Sequence, residues 1–156
     1  MIKWHIANGF NATVITGHNS LMPAKRTRDL ARAEYDAELK VLLGMEWTNC
    51  RMHMNLIGIE HEPPNWKYPS DEQIRQVIDV THEQGGVVVL NHIPWSIPRM
   101  LDYPSKEQMA QWGIDYIEVS SSEYFDLQTF LYVRDQHLGM ITGTDMHYPE
   151  PGAVYR

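Results

Sequence analysis

The sequence predicts an α/β fold with a mainly parallel sheet, and three observations predict it. Short apolar, β-branched runs alternate with segments of helical period. Two of those helical segments open on Ser-x-x-Gln capping boxes, and glycines stop them just before the next run. Residues 1–9 read as the end of a helix, with Ile2 and Ile6 on one side and Asn8-Gly9 as its stop. Residues 12–16 form a continuous apolar or β-branched run, as in a strand buried on both faces. Residues 24–37, with Leu30, Ala31, Ala33 and Tyr35, read as a helix, and residues 41–47 and 54–59 as two strands. Ser70 caps a helix whose apolar side is Ile74, Val77 and Ile78; Gly85-Gly86 ends it before the strand 87–90. Ser105 caps another that stops at Gly113, ahead of the strand 116–119. Leu127, Phe130 and Leu131 mark a last helix, stopped by Gly139 before the strand 140–142. The count is about six strands.

The 156 residues, 43% apolar and 21% charged, have the size and composition of one globular domain. A net charge of -7 argues against nonspecific binding to nucleic acid or anionic membrane, since both need a basic face. No apolar run approaches the roughly 20 residues that span a bilayer. Met1 to His5 lead into no apolar segment of a signal peptide, so a cytoplasmic location is expected. Cys50, the single cysteine, forms no internal disulfide.

The chemistry lies at the strand ends. Thr16 leads into Gly17-His18-Asn19, Leu90 into Asn91-His92, and Thr142 into Gly143-Thr144-Asp145-Met146-His147. Glu46 stands near the end of its strand, and His53 just before the next. In parallel α/β folds the loops at the C-terminal strand ends converge on the active site. A lone histidine there is more often an ordinary hydrogen-bonded residue. Glu46 is harder to dismiss, because a carboxylate between Met45 and Trp47 needs a cation or donor to offset its desolvation. Asp145 and His147 alternate along an extended segment and so project to one side. Together the cluster points to a metal site of imidazoles and carboxylates, suited to zinc, manganese or iron.

These segments resemble the motifs of the polymerase-and-histidinol-phosphatase (PHP) family of metal-dependent phosphoesterases. The segment 14–19 resembles a strand that in the family ends in Thr-Asp-His. Leu43-Gly44-Met45-Glu46, with His53 and Gly58 after it, is similar to the family's Gly-x-Glu, His, Gly segment. Residues 85–92 resemble the strand that ends in a metal-binding histidine, with His92-Ile93-Pro94 where His-Pro is usual. Residues 114–119 and 141–147 resemble the last two motifs, and Gly143-Thr144-Asp145-Met146-His147 is the most specific piece.

The resemblance implies a distorted (β/α)7 barrel with up to three divalent metals at its C-terminal mouth. It makes Glu46 the carboxylate bridging two metals, His53 and His92 further ligands of the second, Asp145 a ligand of the first, and His18 and His147 ligands of the third. Glu46, Asp145 and His147 are then the catalytic residues, and Glu118 takes a supporting place. His61, on the lip, is a candidate for meeting substrate. Arg51 and Arg99 are the nearest cations for a phosphate. His5, His82 and His137 match no motif.

The sequence departs from the family pattern in two places. The family's opening His-x-His strand has no counterpart in this sequence, and the Asp before the motif-two histidine is Gly17. A single domain truncated at both ends is therefore expected, with fewer than the family's metals and one well-held ion on Glu46, His53 and His92. The leading function is hydrolysis of a small phosphorylated molecule by metal-activated water. The alternative is a non-catalytic PHP-like protein used for binding or assembly. Loop aromatics Trp66, Tyr68, Trp95, Tyr103 and Tyr148 suit either reading. The strand at 12–16 should present an unpaired edge through which copies of the chain could pair.

Overall fold

The computed structural model describes residues 1–121 and 124–147, in which β-branched runs become strands and capped segments become helices. The strands are β1 (Ala12–His18), β2 (Lys40–Thr48), β3 (His53–Ile57), β4 (Val87–Leu90), β5 (Tyr116–Ser121), β6 (Tyr124–Phe125) and β7 (Gly139–Gly143). The helices are α1 (Ile2–Ala7), α2 (Met22–Glu34), α3 (Asp71–Glu83), α4 (Ile93–Ser96), α5 (Lys106–Gln111) and α6 (Leu127–Gln136). Both expected capping boxes are present: Ser70 accepts from the Gln73 amide and Ser105 from the Gln108 amide, and each glutamine side chain reaches back. No helix among the described residues is long and apolar enough to cross a membrane.

The α/β class holds, but the sheet is mixed instead of mainly parallel. Its order is β1-β2-β3-β4-β5-β6, with β7 on β5. Strand pairs β1–β2, β4–β5 and β5–β7 are parallel, whereas β2–β3, β3–β4 and β5–β6 are antiparallel. The reason is connection length. Only residues 49–52 separate β2 from β3, and a parallel crossover needs about a dozen or more. The chain after β3 then has to climb and descend before β4. The Gly58 amide donates to Leu43 near the low end, the Cys50 amide to Lys67 near the high end, and α3 brings the chain back.

One side of the sheet carries the main core. Met45, Trp47, Met54, Leu56, Val88, Leu90 and Ile117 pack against Ile74, Val77 and Ile78 of α3, Met109 of α5 and Val133 of α6. The three α3 side chains are fully buried, each worth roughly 1.5–3 kcal/mol relative to exposure. The other side curls inward, so that β1 and β7 face each other across a cavity of about 430 Å³.

Three expectations need correcting. Strand β1 is half-buried along its middle, not buried on both faces, because it is a sheet edge. Helix α2 starts and stops earlier than residues 24–37, and its Leu30 is exposed while Ala24 and Ala31 take the packed side. The two-residue β6 and the short α4 were not expected, being too brief for periodicity to register. Tyr148 and the stretch 151–156 lie outside the described residues.

Candidate metal centre

The sheet register assembles the site. His18 closes β1 directly opposite Glu46 of β2, and Thr48 stands opposite His53 of β3. Because β3 is antiparallel, its first residue lies at the end of the sheet where β1, β2 and β4 finish. His92 comes two residues after β4 ends. Asn19 ties the β1 and β2 ends together: its side-chain amide donates to the Thr48 carbonyl at 2.8 Å and its oxygen accepts from the Thr48 amide at 2.9 Å.

Three imidazoles surround one carboxylate. His53 Nδ1 lies 2.8 Å from Glu46 Oε1, His92 Nε2 3.3 Å from the same oxygen, and His18 Nδ1 3.2 Å from Oε2. Glu46 and His53 are buried and His92 nearly so. The candidate ligand atoms of Glu46, His53 and His92 all lie within 4.8 Å of one another. Burial pushes the Glu46 carboxyl up, but contacts with His53 and His92 and the charges of His53 and His18 outweigh it, holding the group well below the usual carboxylate range. Burial pulls His92 down, yet its contact with Glu46 prevails and leaves it raised.

The residues fit a divalent ion. Although His53 Nδ1 is close to Glu46, the approach is misaligned, and this buried nitrogen has no hydrogen-bond partner. An orphaned buried nitrogen beside an ionised carboxylate is costly unless a ligand uses it. One carboxylate oxygen with two imidazole nitrogens is also the donor set of catalytic zinc and related sites.

The remaining sequence candidates arrive from the far side of the mouth. Asp145 lines the cavity together with His18, Glu46, His92 and His147. The His147 ring lies 5.8 Å from that of His18, and its Nδ1 is 3.7 Å from Asp145 Oδ1. His92 and Asp145 both take left-handed backbone, with φ of 24° and 48°. Such strain in non-glycine residues tends to cluster where function holds it.

Glu118 supports the cluster from below. It is buried, its Oε2 accepts the His92 backbone N–H at 2.6 Å, and burial raises its carboxyl. Ser96, fully buried on α4, stands 3.1 Å from His92 Nδ1. A hydrogen bond there, with the imidazole donating, leaves Nε2 free to ligate. Sequence reasoning missed Ser96, Asn19 and Thr48. A signal existed for Ser96: Pro94 in a first helical turn and a serine four residues after His92.

The substrate candidates divide. The Arg51 guanidinium is spent on the Asp102 and Pro69 carbonyls and the Asp71 carboxylate, bracing loops. His61 is exposed, and its backbone amide is held by Gln84 at 2.9 Å. Arg99 stays near the centre, its guanidinium carbon 4.9 Å from the Trp95 ring centroid. That ring lies 5.0 Å from His92 and 5.5 Å from His53. Among the histidines without a motif, His5 binds Met1 and Thr13, and His82 pairs with Asp115.

The arrangement is a mixed α/β fold with a candidate Glu/His/His metal site. No protein-family model and no curated protein matches the sequence. Among solved structures the chain is similar to a two-domain protein from Bacteroides vulgatus containing a predicted PHP-like metal-dependent phosphoesterase. The TM-score is 0.68 at 22% identity, over 92% of this chain and 46% of that one. It is also similar to PsfC from Pseudomonas syringae, with a TM-score of 0.58 at 14% identity, over 92% of this chain and 65% of PsfC. The chain thus spans less than two thirds of either. At such identities the likeness concerns the fold.

Proposed function

We propose that this chain is a metal-dependent hydrolase unit acting on a small phosphorylated molecule. The observation that carries the reading is the Glu46 carboxylate with three imidazole nitrogens within 3.3 Å of it, one of them buried and otherwise unsatisfied. Glu46, His53 and His92 would hold one ion of zinc, manganese or iron. Asp145, His147 and His18 would add ligands on the facing side. A divalent ion bound there lowers the pKa of water and offsets charge on phosphoryl oxygens. The chain's own groups set the stage: Ser96 sits in hydrogen-bond reach of His92 Nδ1, where accepting its hydrogen bond would leave Nε2 free, Glu118 holds the His92 backbone, and Asn19 locks the β1 and β2 ends in register. Similarity to a fold found with a predicted phosphoesterase supports the substrate class.

The test is metal analysis of the purified chain, with hydrolysis of a generic phosphomonoester then measured after loading with zinc or manganese. Uptake of close to one ion, with turnover, is the expected result. A chain that takes up no ion in chelator competition loses this function. A second reading rests on a different observation: β1 pairs only with β2 among the described residues, so its free edge is open to another strand, including one from a second copy. Assembly through that edge is compatible with hydrolysis or would replace it.

A further inference from the structure

Beside the candidate metal ligands lies a second cavity, of about 400 Å³, between α4 and the β5–β6 corner. It shares His92, Glu118 and Asp145 with the cavity at the centre, and so borders it. Its other walls include Pro94, Trp95, Val119 and Tyr124. From this we infer that the cavity takes the leaving group of the ester, and that this group is an aromatic ring without negative charge. The inference rests on the proposed function above and adds the substrate class.

Size, lining and charge each restrict the occupant. The volume lies in the range of small-molecule sites, about 300–1,000 Å³. Trp95 and Tyr124 are large and mostly apolar, and both remain substantially exposed, so a ring laid against them removes apolar surface from water on both partners. Trp95 is also held in place. His92 and His53 contact its ring, and Arg99 sits over it while donating to the Trp95 carbonyl at 2.9 Å. A wall fixed in this way costs little ordering when a ligand arrives. Among the described residues the lining includes the acids Glu118, Asp126 and Asp145 and neither lysine nor arginine. A second phosphate or a carboxylate on the leaving group would meet these carboxylates with no lysine or arginine among the described lining residues to answer it, so the lining selects against it.

The chemistry is balanced without another reagent. Water's oxygen forms the new bond to phosphorus, the bond from phosphorus to the aryl oxygen breaks, and that oxygen leaves with the electron pair and takes a proton from solvent. The products are inorganic phosphate and a phenol.

Calorimetric titration of the manganese-loaded chain with non-hydrolysable phosphonates tests the inference, with metal content measured first. Phenylphosphonate should bind about 10-fold more tightly than methylphosphonate, and 4-carboxyphenylphosphonate should lose most of that gain. Trp95→Ala and Tyr124→Ala should each shrink the phenyl-to-methyl ratio while metal content stays at the wild-type level. Tyr124→Ala, whose side chain makes no ring contact with the histidines among the described residues, guards against an indirect effect at the centre. Equal affinity for the phenyl and methyl compounds overturns the inference and leaves the phosphoester reading standing. So does a phenyl preference that survives both substitutions. A chain that holds metal but binds neither phosphonate, or that holds no metal, overturns both.

Discussion

The two halves of the candidate centre are built differently. Glu46, His53 and His92 have side chains only 7%, 9% and 10% exposed, whereas His18, Asp145 and His147 stand at 52%, 42% and 59%. Topology explains the contrast. The first half is supplied by β2, β3 and the end of β4, which are paired on both sides within the sheet. The second half comes from the ends of β1 and β7, two strand edges facing each other across open space. Paired strands fix side chains in a dry, low-dielectric setting where each contact is strong. Edge residues remain in water, free to adjust and weakly committed. A tight ion on the β2–β4 half and a looser region on the β1–β7 half is the expected consequence.

The largest effect should come from Glu46→Gln. It removes the charge on which three imidazoles converge, and metal affinity should fall by at least about 100-fold, with hydrolysis lost. Near-normal metal uptake by this variant would break the contrast between the halves. Asp145→Ala and His147→Ala should each abolish turnover of a phosphomonoester yet leave the fold and the tight ion in place, because both side chains are exposed and support no core. Loss of all bound metal in Asp145→Ala would mean that the edge half carries the ion.

Gly143→Ala should act at the boundary between the halves. A Cβ at Gly143 would collide with Glu118 Oε1, and Glu118 is anchored to the His92 amide. Displacing that carboxylate should cost about 1–3 kcal/mol of stability and weaken the tight ion along with it. Unchanged urea unfolding and unchanged metal affinity would show that Glu118 moves aside freely.

The same contrast governs what could be read from the sequence. The α3 face of Ile74, Val77 and Ile78 was legible because burial there follows helical period, and the capping box at Ser70 marked its start. Glu46 was legible because a lone carboxylate between Met45 and Trp47 has no ordinary reason to be buried. The direction of β3 was not: its residues alternate alike in either sense, and only the shortness of the 49–52 connection decides it. Arg51 looked like a phosphate grip by its position near Glu46, yet its partners, Asp71 and the carbonyls of Pro69 and Asp102, are far off in sequence. Hydrogen bonds to distant carbonyls leave no trace in a local pattern. His18, Asp145 and His147 were legible from their places just past apolar runs and as motif matches, not from burial, since exposed edge residues carry no burial signal.

The smallest effect we expect, from Ser96→Ala, is also the sharpest test of how the tight half is tuned. Ser96 Oγ lies 3.1 Å from His92 Nδ1, and His92 Nε2 faces Glu46 at 3.3 Å. A neutral imidazole carries one proton, so the nitrogen that donates to Ser96 leaves the other as a lone pair aimed at the ion site. Alanine at 96 deletes the acceptor without adding bulk, and the tautomer is no longer fixed. Metal affinity should drop by about 10-fold, near the low end for loss of an outer-sphere partner, while unfolding shifts by only ~1 kcal/mol. Competition with a chelator of known affinity reads the first quantity and urea unfolding the second. If Ser96→Ala binds metal as tightly as the parent, His92 is oriented by its strained backbone and the Glu118 contact alone. A loss as large as that of Glu46→Gln would instead mean that α4 itself has shifted, and the preorganisation assigned to the β2–β4 half would rest on packing rather than on this hydrogen bond.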